Sequence, residues 1–149
     1  KGGIDEPYII RRPEIIHGLR NMIQNAVDFA TSKVWVESSW TRESIKITIS
    51  DDGYGYPPNL LGRLGDPFLG AKIGKENRQG YEGMGLGLFI AKTLLERTGA
   101  NISFSNGHKN QTSSQSQSVP SGAIVDIYWP RKKVETTSNL FGENQNFSI

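Results

Sequence analysis

The chain has no cysteine, which excludes disulfides, zinc–thiolate sites and thiol chemistry. It has no apolar run near the roughly 20 residues that a membrane-spanning helix needs, and its N-terminus lacks a signal-peptide pattern. An excess of one charge is missing too: 17 basic residues against 15 acidic ones leave a formal net charge of +2. That balance makes no electrostatic case for nucleic acid or a membrane surface as partner. Hydrophobic residues are 36% of the chain, low for a globular domain, and polar loops account for much of the shortfall. A length of 149 residues suits one domain with a single core. Lys1 rather than Met stands first, so the chain reads as a fragment of a longer protein, with any sensing or membrane segment upstream.

What is present is strongly patterned. Tyr8-Ile9-Ile10 reads as a strand, and Pro13-Glu14 suits the first turn of a helix, where no amide donor is needed and a carboxylate meets the positive dipole end. Ile15, Ile16, Leu19, Met22, Ile23, Ala26, Val27 and Ala30 then recur at helical spacing over roughly 140° of arc. His17, Asn21, Asn25 and Asp28 form a polar stripe opposite them. Lys33 to Trp40 and Ile45 to Ser50 are expected strands, and the alternation of Ile45, Ile47 and Ile49 with Lys46, Thr48 and Ser50 marks a half-buried sheet. One further step in phase reaches Asp51. A glycine-rich turn and a short helix near Leu60 to Leu64 follow. Residues 66–83 read as a mobile lid loop, and a helix from the Gly83-to-Leu88 run to about Thr98 is stopped by Gly99. Ile102 to Ser105 and Ala123 to Trp129 are the last strands, joined by a Ser/Gln/Asn-rich flexible loop over 106–121. The expected fold is α+β: a two-layer sandwich, a mixed sheet of about five strands with three helices on one face. The domain would cover residues 1–131, with a polar tail over 132–149.

Three features could support chemistry, and each has an ordinary alternative. Asp51, in phase with buried isoleucines, should point inward and need donors, such as the amino group of adenine; Asp before Gly is equally ordinary turn chemistry. Asn21 and Asn25 could be part of a wet helix face, or Asn25 could offer its amide oxygen to Mg²⁺. The glycines from Gly83 to Gly87 could let phosphates approach a helix N-terminus, or act as a hinge. The run is neither a P-loop nor a dinucleotide fingerprint.

In order and spacing, these elements resemble the GHKL ATPase superfamily, over roughly residues 8–131. Asn21-Met22-Ile23-Gln24-Asn25-Ala26 resembles the N box of its histidine kinase branch. Asp51-Asp52-Gly53-Tyr54-Gly55 resembles the G1 box, Asp66-Pro67-Phe68 the F box, and Gly83-Met84-Gly85-Leu86-Gly87-Leu88 the G2 box; Gly122-Ala123 matches a terminal Gly-Thr/Ala element. At finer grain, His17-Gly18-Leu19 leading into Asn25-Ala26-Val27-Asp28-Phe29-Ala30, with the closing Trp129-Pro130-Arg131, looks like the redox-responsive Reg/Prr-type sensor kinases of alphaproteobacteria.

The resemblance implies a Bergerat-type fold binding ATP and Mg²⁺. Asn25 would ligate the metal and Asp51 would read the adenine amine. Gly53, Gly55, Phe68 and residues Gly83 to Leu88 would line the nucleotide, and Lys72 would meet the γ-phosphate. Asn21, also in the catalytic set, stands where the gyrase and chaperone branch has a glutamate base, and an amide cannot take that proton. The phosphoryl acceptor would be a histidine on a separate helical dimerisation domain of the same kinase, since neither His17 nor His108 has the Glu/Arg surroundings of an acceptor box. A homodimer, a downstream response regulator and a cytoplasmic domain anchored to the bacterial inner membrane are implied with it; nucleic acid is not. Two departures stand out. Asp28 replaces a common Lys or Arg, and Gly70-Ala71-Lys72 lacks the usual hydroxyls. Competing readings are a free-standing GHKL serine kinase of anti-sigma type and a degenerate nucleotide-binding interaction module.

Overall fold

The computed structural model describes residues 3–59, 61–64, 84–107 and 122–137. Strand β1 (Tyr8–Ile9) leads into helix α1 (Pro13–Phe29), with Pro13 at the start and Glu14 in the first turn as expected. The hairpin strands β2 (Val34–Trp40) and β3 (Ser44–Asp51) follow, then a single 3₁₀ turn, Leu61–Arg63, where a short helix was expected. Helix α2 (Met84–Arg97) runs into β4 (Asn101–Asn106) and then β5 (Ala123–Pro130). A one-turn helix, α3 (Arg131–Val134), and the short strand β6 (Glu135–Thr136) complete the described chain.

Among the described residues the main sheet has four strands in the order β2-β3-β5-β4, every neighbouring pair antiparallel. The expected mixed sheet of about five strands is therefore corrected: β1 leaves the sheet and pairs with β6 in a separate two-stranded ribbon. This also moves the domain boundary. Val134 is 1% exposed in the core and its carbonyl accepts from Ile10 N at 2.7 Å, so the body of the domain extends past the expected end at residue 131. Nothing in a two-residue strand advertises such a pairing, which is made by contact with β1 rather than by local pattern. Residues 138–149 of the expected tail lie outside the described residues.

Register sorts the faces. Ile45 and Ile49 on β3 face inward together with Val125, Ile127 and Trp129 on β5, all nearly inaccessible. Over them lie Ile15, Met22 and Ala26 of α1 and Leu88, Ala91 and Leu95 of α2. The arc expected on α1 is narrower in the structure: Ile16 and Val27, at its far edge, are exposed. Gly18, on the opposite flank, is buried because α2 crosses there; a β-carbon would sit 2.5 Å from Leu95 Cγ. Glycine at 18 thus lets two helices approach more closely than any larger residue would.

Two ties hold the far end of the layers together. Trp129 Nε1 donates to Thr98 Oγ1 at 2.8 Å, and that hydroxyl donates to Leu95 O at 2.6 Å, joining β5 to the end of α2. Gly99, in the left-handed region at φ 93°, ends α2 as expected. The Arg131 guanidinium donates to Thr41 O and Asp5 O at 2.9 Å each and to Glu135 Oε1 at 2.8 Å, fastening the N-terminal segment, the hairpin turn and the C-terminal turn.

Candidate functional site

At the other end of β3 the alternation that buries Ile45 and Ile49 also buries Asp51, which is 1% exposed. Its Oδ1 accepts from Gly53 N at 2.8 Å and from Ala123 N at 3.3 Å. The turn-capping alternative for Asp51 is therefore realised. It is not complete, because among the described residues nothing donates to Oδ2. Burial raises the Asp51 carboxyl above the ordinary carboxylate value, the two amides oppose the shift, and the Asp52 charge adds to it. Tyr56, 2% exposed, has its phenol pushed up by burial and then by the Asp51 charge. It packs edge-on against Phe104, ring centroids 5.8 Å apart.

Close approach explains the glycines of this region. A β-carbon at Gly53 would lie 2.1 Å from Phe29 O, and one at Gly122 would lie 2.2 Å from Asp51 Oδ1. Gly122 N also donates to Asp51 O at 2.9 Å. The Gly122-Ala123 pair thus packs against Asp51.

Asp52 does something the sequence reading did not assign. Its Oδ1 accepts from Thr31 N and Ser32 N at 2.9 Å each and from Lys33 N at 3.0 Å, and its Oδ2 accepts from Ser32 Oγ at 2.5 Å. These bonds, the Lys33 amide first, hold its carboxyl far below the usual range. They also mark where α1 stops without a glycine: the amides of residues 31–33 are held by a carboxylate just past β3 and so do not continue the helical ladder. The only signal in the sequence was Asp before Gly, which speaks of a turn and not of which amides it will cap.

The other expected residues are distributed as follows. Asn21 and Asn25 are half-buried on α1, and Asn25 lies two turns beyond Gly18 on the flank that meets α2. His17 and Asp28 are exposed, and Asp28 Oδ1 accepts from Gln24 Nε2 at 2.8 Å, so it is engaged within its own helix. Met84 and Gly85 open α2. Leu86 is 61% exposed, while Leu88 is a core side chain. At Gly87 a β-carbon would meet nothing within 4 Å among the described residues. Phe68, Lys72 and Gly83, with the expected lid over 66–83, lie outside the described residues. So do residues 108–121 of the expected flexible loop, whose mouth is closed by Gly107 N donating to Gly122 O at 2.8 Å. Among the described residues no cluster of three His, Cys, Asp or Glu side chains gathers, and no helix is long and apolar enough to cross a membrane.

An N-box-like helix, a buried aspartate at a strand end and a glycine-opened helix over an antiparallel sheet define a class. The chain belongs to the family described as histidine kinase-, DNA gyrase B- and HSP90-like ATPases, which matches residues 11–133. Within it, the chain is 53% identical over 97% of its length to the sensor histidine kinase RegB of Cereibacter sphaeroides, bearing out the Reg-type resemblance. It spans 32% of that relative's length. Among solved structures, full-length ShkA in complex with AMPPNP superposes with a TM-score of 0.61 at 21% identity, over 89% of this chain and 24% of that one. A mycobacterial sensor histidine kinase, MprB, superposes with a TM-score of 0.59 at 17% identity, over 87% of this chain and 78% of that one. Both support the α+β sandwich expected from the sequence.

Proposed function

We propose that this domain binds ATP with Mg²⁺ and donates the γ-phosphoryl group to a histidine on a separate helical dimerisation domain of the same kinase. The observation that carries the reading is the Asp51 carboxylate. It is buried, one oxygen is taken by two backbone amides, and the other has no donor among the described residues. An adenine amino group supplies that donor.

The neutral amide of Asn25, half-buried on α1, fits a Mg²⁺ that takes one or two protein oxygens and completes its shell with water and phosphate. The ion would neutralise charge on the phosphate oxygens; the chain's own residues bind and orient the nucleotide. Gly87, where a side chain would meet none of the described residues within 4 Å, suits a phosphate approaching the start of α2. Lys72 and Phe68 keep the γ-phosphate and nucleotide-lining roles that the resemblance implies. Asn21 cannot activate water as a base, which favours transfer to a protein acceptor over hydrolysis. A homodimeric parent kinase anchored in the inner membrane, with a response regulator downstream, completes the reading. The 53% identity to RegB supports it over the anti-sigma-type serine kinase.

Calorimetric titration of AMPPNP, with and without Mg²⁺, into wild type, Asp51→Asn and Asn25→Ala tests the reading. Wild type should bind. Asp51→Asn should abolish binding, and Asn25→Ala should remove the Mg²⁺ enhancement. A wild type that binds no nucleotide would overturn the proposal and favour the interaction module. Radiolabel transfer from ATP to a supplied helical histidine domain tests the acceptor.

A further inference from the structure

We propose that Asn106 is a positioning residue of the Asp51 site: its side-chain amide clamps the glycine turn after Asp51 and so sets how sharply the carboxylate distinguishes a purine amine from a carbonyl. The proposal rests on the nucleotide reading above.

Asn106 is the last residue of β4 and continues the inward phase of Ile102 and Phe104. A polar side chain in that phase needs partners, and it has two of matching geometry. Tyr56 N donates to Asn106 Oδ1 at 2.7 Å, and Asn106 Nδ2 donates to Tyr56 O at 2.7 Å. A primary amide offers donor and acceptor side by side, so it pairs with Tyr56 as a neighbouring strand would. The approach requires Gly55, whose φ is 79° and whose β-carbon would lie 2.7 Å from Asn106 Oδ1.

The clamp closes a ring. Asp51 Oδ1 holds Gly53 N and Ala123 N, Ala123 is the cross-strand partner of Asn106, and Asn106 holds Tyr56 at the other end of the turn. Between the two anchors lie Tyr54, 96% exposed, and Gly55. With both ends held, Gly53 N stays on Oδ1 and Oδ2 stays reserved for a ligand. Freed at Tyr56, the turn can withdraw Gly53 N and let the carboxylate rotate, so that a ligand carbonyl is no longer met by a fixed anion.

The test compares AMPPNP with its inosine counterpart, which carries a carbonyl oxygen in place of the amine, on wild type, Asn106→Ala and Asn106→Asp. Amide hydrogen exchange is followed at Tyr56 and at Ile127 in the core. For Asn106→Ala we expect AMPPNP affinity to fall about tenfold and the adenine-to-inosine ratio to narrow several-fold. Tyr56 exchange should quicken while Ile127 stays protected. Asn106→Asp keeps the acceptor for Tyr56 N but turns a carboxylate oxygen towards Tyr56 O, so it should narrow the ratio at least as far as alanine does; it carries the comparison if the alanine variant loses Ile127 protection. A ratio within twofold of wild type, with both nucleotides weakened equally or not at all, would show a purely structural residue and overturn the proposal. Wild type failing to bind AMPPNP is a different result: it removes the nucleotide reading itself and this proposal with it.

Discussion

Replacing Gly87 by alanine should make the domain more stable and a poorer nucleotide binder at once. Gly87 is in the first turn of α2, where a β-carbon would meet nothing within 4 Å among the described residues. Glycine inside a helix is less favourable than alanine by roughly 0.5–1 kcal/mol, and no clash offsets the gain. For a domain of this size that corresponds to a rise in Tm of about 2–4 °C. If phosphate oxygens approach the backbone here, the added methyl group stands in their path, and AMPPNP affinity should fall at least about tenfold, or ~1.4 kcal/mol. Thermal unfolding followed by circular dichroism and calorimetric titration on the same preparation read both quantities. An unchanged affinity would remove Gly87 from the nucleotide path. A lower Tm would refute the claim that its side-chain space is open.

Asp52 should contribute to the acid limb of stability. Its folded-state carboxyl is held below the ordinary value of 3.8, so its contribution is complete above that pH and is lost as pH falls through 3.8 towards the depressed folded value. Denaturant titrations from neutral pH to about pH 2 should show Asp52→Asn less stable than wild type at neutrality and flatter below; parallel curves would refute the assignment. Trp129→Phe removes the bond to Thr98 Oγ1, a hydroxyl buried at 3% exposure, and should cost about 1–3 kcal/mol, a fall in Tm of about 4–10 °C. A loss below about 0.5 kcal/mol would show that the tie between β5 and α2 contributes little.

The elements whose stability is written locally were legible in the sequence. Strand β3 declares itself through three alternating isoleucines, α1 through Pro13 and a 3.6-residue period, and the end of α2 through Gly99. The same alternation that reveals β3 extends to Asp51, so the centre of the site was visible as a polar residue in a buried phase. Illegible were contacts made across long sequence separations. Asp52 caps amides about 20 residues earlier, and Asn106 pairs with Tyr56 across 50 residues. Gly18 is glycine because of Leu95. Each looks locally like a loop residue, a strand end or a helix weakness, and only the partner reveals its purpose. The β1–β6 ribbon belongs with them: two residues carry no period, and their pairing follows from where α1 and α3 deliver them.

Asp51 and Asp52 separate these two kinds of information within one dipeptide. Alternation along β3 sends the first carboxylate into the core and leaves the second at the loop, and their proton affinities move in opposite directions. Asp52, surrounded by donors, stabilises the fold when ionised. Asp51 is raised by burial, so its ionisation opposes folding as pH rises past 3.8, and the opposition is complete above its raised folded value. An asparagine at 51 could accept the same two amides on Oδ1 without that penalty, while presenting a donor where Asp51 presents Oδ2. A carboxylate kept at a burial penalty, its second oxygen without a donor among the described residues, is accounted for by a ligand that brings a donor of its own. On the proposed function, a nucleotide amine would donate to the second oxygen while the first keeps its two turn bonds.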